Sequence, residues 1–142
     1  MEKQINIFCD YFIWKASKSG DQITHLKIQK LLFYTQAWFI ANGWKNLFEE
    51  EFEAWVHWPV LRNVFNKYRK YRPWDALNEE IDEVRLIWAI NDISLEKWED
   101  ILTYLDYIAW EYLWCTGFEL EQMTHEEEPW KNARKGLQPD EI

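Results

Sequence analysis

The segment at residues 23–38, ITHLKIQKLLFYTQAW, decides the fold of this chain. Its apolar residues recur at the three- and four-residue spacing of a helix and cover most of the helix surface. Thr24 is a suitable N-cap, and Gly43 ends the pattern. A helix that is apolar on most sides usually lies at the centre of a domain. The sequence therefore predicts a central helix from Thr24 to about Ala41, with Trp38 among its core residues.

Segments on both sides of this helix predict further elements. Residues 3–17 carry one apolar face at helical spacing, which predicts a helix before the central one. Apolar and acidic residues alternate from Glu51 onward, which indicates a short extended stretch. Proline is tolerated in the first turn of a helix, so Pro59 is well placed to open a third helix that ends near Tyr71.

The second half of the chain is less regular. Residues 84–90 fit either a strand or a short helix. A longer helix is expected after them, with Ser94 as its N-cap and Leu95 on its apolar face. Residues 118–124 and 129–135 predict two short helical pieces at the end of the chain.

The bulk composition indicates one folded domain. A chain of 142 residues has the usual length of a single domain and can bury a real core. Its content of 48% hydrophobic and 18% aromatic residues excludes a disordered chain. We predict a mainly α fold, a single compact helical domain of about five to six helices with at most a short β element. It spans residues 1–142, with a flexible tail at 136–142.

Tryptophan content and charge bear on the kind of partner. The eleven Trp either fill an aromatic core or line a protein-binding surface, where Trp is enriched. A net charge of −9 repels phosphate backbones, so nucleic-acid binding is not expected. The acidity suits a basic protein partner, or it only keeps the chain soluble. Basic and aromatic residues interleave at 62–72, and within this acidic chain we interpret them as a solvated helix face or as a local contact with an acidic patch of a partner.

Residue types that carry catalysis or bind metals do not form a known motif. Cys9 and Cys115 lie in apolar patterns, without metal-binding or catalytic spacing. His25, His57 and His125 lie on different predicted elements and lack a ligand spacing such as HExxH. We therefore expect no metal, no cofactor and no enzymatic activity. The N-terminus does not resemble a signal peptide and no apolar run has the length of a membrane span, so a cytoplasmic protein is expected.

Four motifs in order carry a family resemblance. Residues 26–38 read LKIQKLLFYTQAW, and residues 53–60 read EAWVHWPV. Residues 67–71 read KYRKY, and residues 123–133 read MTHEEEPWKNA. Their order and spacing resemble the Panacea domain, which is also called the SocA-like or GepA-like domain of prophage and toxin–antitoxin proteins. The resemblance covers roughly the whole chain. It departs at Trp58 and Glu128, where the family usually has glycine, and at Arg62, where it usually has proline or a similar residue.

The resemblance implies a function that composition and spacing do not show. Proteins similar to this one neutralise a toxin, commonly by binding it directly, so a cognate toxin protein is the expected partner. An adaptor role, which delivers the partner to a protease, is an alternative, and so is a phage-encoded inhibitor of a host protein.

The resemblance also singles out signature positions, which form either a partner-binding surface or an internal polar network. These positions are Gln29, Lys30, Tyr34, Trp55, His57, Pro59, His125, Glu126 and Trp130. Near His125, Glu126 and Trp130, the residues Thr124 and Glu127 fit a capping box. The alternative for the acidic run at 126–128 is a polar recognition edge next to Trp130.

Overall fold

The fold is mainly α, as predicted. The computed structural model describes residues 3–43, 45–55, 59–72, 74–97 and 99–113. The elements in chain order are α1 (Gln4–Lys18), α2 (His25–Ala41), β1 (Glu53–Ala54), β2 (Pro59–Val60), α3 (Arg62–Lys67), α4 (Glu83–Lys97) and α5 (Ile101–Tyr112). The two strands form a small antiparallel sheet in which Ala54 pairs with Pro59. The helical pieces expected after residue 113, and the tail, lie outside the described residues.

Helix α2 is central, as its sequence predicts. It packs against α1, α3, α5 and strand β2. Its Ile28, Leu31 and Leu32 side chains are fully buried, and each such burial contributes about 1.5–3 kcal/mol. The expectation for Trp38 is wrong, because 46% of this residue is exposed. It lies near the end of α2, where the indole nitrogen donates a hydrogen bond of 2.6 Å to the hydroxyl of Tyr112.

Both ends of α2 follow the sequence prediction. The hydroxyl of Thr24 accepts a hydrogen bond of 3.1 Å from the backbone N–H of Lys27, so Thr24 is the N-cap. Gly43, two residues beyond the last helical residue, adopts φ = 85°. A side chain would strain this left-handed conformation, so glycine is favoured where the chain leaves the helix.

The third helix begins later than predicted. Pro59 lies in β2, and α3 starts only at Arg62 and ends at Lys67. Leu61 has extended backbone angles, φ −88° and ψ 110°, and its N–H and C=O groups both bond to a side chain of α2. Because these bonds hold Leu61 outside the helix, α3 cannot start at the proline.

Helix α4 covers both the ambiguous segment at 84–90 and the start of the long helix predicted after it. Residues 84–90 lie inside it, so the strand alternative is wrong. Leu95 does not lie on a buried face, since 76% of it is exposed. The part of the chain that the structure describes has no helix both long and apolar enough to cross a membrane.

Helix α4 ends at Lys97 and α5 begins at Ile101, so the break between them comes after Ser94. Asp100 is the N-cap of α5, and its carboxylate accepts a bond of 3.1 Å from the N–H of Thr103. The Ser94 hydroxyl instead donates to the carbonyl of Ile90, a bond that a serine within a helix commonly makes. It also accepts a hydrogen bond of 3.0 Å from the N–H of Ile101. Ser94 therefore satisfies the first turn of α5 from the preceding helix.

Polar contacts link α1 to both α4 and α5. The carboxylate of Asp10, largely buried, receives the guanidinium of Arg85 on α4 at 2.7 Å. On the next position of α1, the Tyr11 hydroxyl donates a hydrogen bond to Asp106 of α5. Lys15 lies 3.4 Å from the same carboxylate. These contacts set the positions of α4 and α5 around the apolar core.

Candidate functional site

The structure divides the signature positions into two groups within the described residues. Gln29, Lys30 and Tyr34 lie on α2 and are buried. Trp55 and Pro59 lie at the small sheet, the first half-buried and the second buried. The positions outside the described residues are His57, His125, Glu126 and Trp130.

Gln29 connects α2 to the start of α3. Its carboxamide oxygen accepts a hydrogen bond of 2.8 Å from the N–H of Leu61. Its carboxamide nitrogen donates to the carbonyl of the same residue at 3.3 Å. Gln29 is fully buried, and buried polar groups need such partners. This signature residue is therefore part of an internal network that holds two elements together.

Gln36 is not among the predicted site residues, yet it has the same role one heptad later. Its carboxamide oxygen accepts a bond of 2.8 Å from the N–H of Leu47, and its nitrogen donates at 2.8 Å to the carbonyl of Phe48. Two glutamines seven residues apart in a largely apolar helix lie on one side of it. The seven-residue spacing of the two glutamines was therefore the sequence feature from which a pair of backbone-binding carboxamides could have been predicted.

Lys30 and Tyr34 also face the interior. The side chain of Lys30 is fully buried, so its ammonium group cannot reach a partner protein while the helix keeps its place. The Tyr34 ring stacks on the ring of Tyr112, with centroids 4.3 Å apart and planes 10° from parallel. The three signature side chains of α2 therefore support the packing of this helix.

The small sheet carries the accessible part of the signature. Arg62 forms two hydrogen bonds, of 2.8 and 2.7 Å, with the carboxylate of Glu53. Its guanidinium carbon also lies 5.5 Å from the ring centre of Trp55, which packs on Phe65. The hydrogen bonds from Arg62 lower the pKa of Glu53. Arg62 thus contacts both Glu53 of β1 and the neighbouring Trp55.

A second buried polar cluster lies between α1, α2 and the end of α3. Its members are Cys9, His25 and Tyr68. Nδ1 of His25 lies 3.4 Å from the carbonyl oxygen of Tyr71, and its ring centre lies 5.5 Å from that of Phe65. Burial raises the pKa of the Cys9 thiol to about 12, so the thiol stays protonated at neutral pH. A protonated thiol is a poor nucleophile.

Tyr68→Phe is expected to raise the free energy of unfolding by about 1 kcal/mol. The hydroxyl is buried and makes no strong hydrogen bond among the described residues, where its partner is the weakly bonding thiol of Cys9. Burying an unsatisfied hydroxyl costs about 1–3 kcal/mol, which the substitution removes without leaving a large cavity. Urea unfolding of both proteins measures the change. A loss of more than about 1 kcal/mol would show that the hydroxyl is well bonded.

The protein is expected to lose stability as the pH falls below about 6.5, because His25 is buried. Burial lowers the pKa of His25. The unfolded state, with its ordinary pKa, therefore takes up a proton first, and its excess protonation favours unfolding. The contribution of neutral His25 is complete above the unfolded pKa and is lost as the pH falls through the range below it. The slope is at most about 1.4 kcal/mol per pH unit.

Urea unfolding between about pH 7.5 and pH 5.5 tests this dependence. His25→Asn keeps a donor near the Tyr71 carbonyl but does not titrate, so its slope in this range should be smaller than that of the original protein. An unchanged slope would assign the pH dependence to other groups.

Exposed tryptophans distinguish the surface of this chain. The structure describes Trp14, Trp38, Trp55, Trp74, Trp88 and Trp110, and none of these six is buried. The exposed fractions of Trp74, Trp88 and Trp110 are 67%, 70% and 69%. This arrangement favours the interpretation that indoles line a binding surface, over the interpretation that they fill the core.

The described surface has grooves but no metal-binding cluster. Across the ranges in the structure, no three His, Cys, Asp or Glu side chains come together in a way that could hold a metal ion. A groove of about 450 Å³ lies between the start of α1, residues 47–50 and the end of α4. Its charged lining residues are Lys3, Glu49, Glu50, Glu96 and Lys97. These groups carry both signs of charge.

Comparison with known proteins agrees with the motifs. A family model described as "Antitoxin SocA-like, Panacea domain" matches residues 28–131, well over half of the chain. The match begins within α2 and includes all the signature positions. The comparisons with curated proteins and with solved structures returned no match. By the extent of the family match, the chain belongs to the SocA-like antitoxin family with the Panacea domain.

Proposed function

We propose that this chain is a non-catalytic antitoxin that binds a cognate toxin protein and neutralises it by direct contact. The observation that carries the proposal is the match of residues 28–131 to a domain described as an antitoxin. A function through binding requires a surface that can bury anchoring side chains, and the exposed tryptophans provide such side chains.

The chemistry of the buried polar groups supports a binding function over catalysis. The Cys9 thiol is protonated at neutral pH, and His25 is enclosed by aromatic rings. Burial also raises the pKa of Tyr68, so its hydroxyl stays protonated. These groups are inaccessible to a substrate, and their protonation states suit a stable core.

The positions of the signature residues direct the toxin contact to another surface. Gln29, Lys30 and Tyr34 are buried in α2, where they hold the domain together. Side chains that anchor a partner must be accessible before binding. We therefore assign the toxin contact to the outward faces of the helices and to the accessible surface formed by Trp55 and Arg62. The signature residues of α2 are assigned to folding.

Co-expression with each protein encoded next to this chain tests the proposal. If one neighbour stops growth, co-expression of this chain should restore it, and the two proteins should co-purify as a stable complex. Gln29→Met, which damages the fold, should lose rescue, while Gln22→Met at an exposed position should keep it.

The half-life of the toxin separates direct neutralisation from delivery to a protease. Direct neutralisation predicts an unchanged or longer half-life when this chain is present. A toxin that disappears faster with this chain would favour the adaptor role. The absence of both rescue and a complex with any toxic neighbour would contradict the antitoxin proposal itself.

A further inference from the structure

Helix α4 is apolar on two opposite sides. Its inner side packs into the core through three buried residues, Leu86, Ile90 and Ile93. Its outer side carries Val84, Trp88 and Leu95, whose exposed fractions are 67%, 70% and 76%. At about 100° per residue these three lie within about 40° of one another, facing away from the inner side. We call Val84, Trp88 and Leu95 the outer strip.

The outer strip resembles the contact face of a helix that packs along a second helix. A single exposed apolar residue is ordinary on a protein surface. Here three residues at i, i+4 and i+11 form a line about 16 Å long on one rigid helix. Apolar residues spaced four and seven apart are the pattern by which one helix packs along another. The occupant that fits this line is therefore a helix with an apolar face of its own.

The surroundings of the outer strip are acidic. Residues 79–97 contain six carboxylates and two basic side chains, which gives this segment a formal charge of −4. Arg85 is held by Asp10 of α1 at 2.7 Å. Two of the six carboxylates are also paired, Glu79 with Lys70 at 4.0 Å and Glu83 with Lys18 at 3.7 Å. Asp92 borders the strip on α4 and is exposed, with no ion pair in the described ranges. A helix that docks here gains from basic residues beside its apolar face.

We propose that the outer strip docks a basic amphipathic helix of the toxin. This inference rests on the proposed antitoxin function and names the surface that performs it. Trp88 is the central anchor, with Val84 and Leu95 on either side. The carboxylates around the strip guide a basic partner and disfavour an acidic one. A second copy of this chain fits less well, because pairing through the strips would bring two segments of charge −4 together.

A model peptide tests the surface without the toxin. The probe is a synthetic helix of about 15 residues with leucines on one face and lysines on the other, a length that matches α4. Fluorescence anisotropy of the labelled peptide should show saturable binding to the full chain. Binding should weaken as the salt concentration rises from about 50 to about 500 mM.

Two altered peptides identify the source of binding. One has the same composition with its leucines and lysines rearranged, so that it lacks an apolar face. The other carries glutamates in place of lysines. Both should bind at least about tenfold more weakly than the probe. Equal binding of the rearranged peptide, or of the acidic one, would overturn the proposal.

Variants of the chain place the binding on α4. Trp88→Ala should weaken binding of the basic peptide by about tenfold or more, as expected for a central aromatic anchor. The matched control is Trp74→Ala, since Trp74 is equally exposed but lies outside α4 under the guanidinium of Arg72. It should change binding less than about twofold. Asp92→Asn should weaken binding severalfold at low salt. No loss in Trp88→Ala, with the helical circular dichroism intact, would overturn the proposal.

Two further outcomes separate this inference from the proposed function. If the chain rescues cells from a toxin and Trp88→Ala does so equally well, the antitoxin function stands and the docking surface is wrong. If the chain forms a dimer that Trp88→Ala dissociates, a second copy occupies the strip and the toxin-docking proposal is overturned. If no neighbour is toxic, the proposed function fails, and the peptide measurement still decides whether the strip binds basic helices.

Discussion

Gln29→Met is expected to lower the free energy of unfolding by about 3 kcal/mol. Gln29 is fully buried, and its carboxamide bonds to both the N–H and the C=O of Leu61. Methionine has nearly the same length but can bond to neither group. The two backbone groups would remain buried without partners, and each such group costs about 1–3 kcal/mol. Urea unfolding followed by circular dichroism measures the change.

Gln22→Met is the matched control, because Gln22 is exposed just before α2. Its effect should stay within about 0.5 kcal/mol. If Gln29→Met were equally harmless, the Leu61 groups would have another way to be satisfied. The start of α3 would then not depend on the side chain of Gln29.

Tyr34→Ala is expected to lower the free energy of unfolding by about 4 kcal/mol. The ring of Tyr34 is buried and stacks on Tyr112 of α5 at a centroid distance of 4.3 Å. Truncation of a buried aromatic residue costs about 3–5 kcal/mol, because it removes apolar burial and leaves a cavity. A stacked pair adds about 0.5–1.5 kcal/mol beyond the buried area. The loss should appear in thermal unfolding as well as in urea.

Tyr107→Ala provides the comparison for this substitution. Tyr107 lies on α5 and is 57% exposed, so its removal should change stability by about 0.5 kcal/mol or less. Antitoxin activity in the growth test should follow folding for the Tyr34 variant. A stable, well-folded Tyr34→Ala protein that no longer binds the toxin would instead place this signature residue in the interface.

The sequence allowed the central helix to be predicted with its cap. Apolar residues on most sides of residues 28–39 must be buried from several directions, which requires neighbours all around. Thr24 was identifiable because a short hydroxyl side chain satisfies the free N–H groups of a first helical turn. The family was likewise predictable, since four motifs in fixed order do not depend on the fold being known.

The start of α3 and the break between α4 and α5 were not predictable from local pattern. Pro59 suits the first turn of a helix, but a side chain from residue 29 binds the backbone at residue 61 and delays the helix. Ser94 suits an N-cap, but it lies within α4 and bonds to Ile101 across the break. Both outcomes depend on groups distant in sequence, which propensity does not include.

The location of the candidate binding surface was likewise only partly predictable from the sequence. A count of eleven Trp indicated aromatic contacts but not their location, and the structure places Trp88 on the outside of α4. Periodicity placed Leu95 on a buried face, because an apolar side chain at helical spacing usually packs inward. With two apolar sides on one helix, only packing decides which of them enters the core.

By itself, the sequence determined the helical class, the central helix with its Thr24 cap, the acidic charge and the family, since these follow from local pattern and composition. The tertiary structure alone decided that Gln29, Lys30 and Tyr34 point inward and that Val84, Trp88 and Leu95 point outward. The physical reason is that burial is a property of the assembled helices: a side chain is excluded from water only by the neighbours that pack against it.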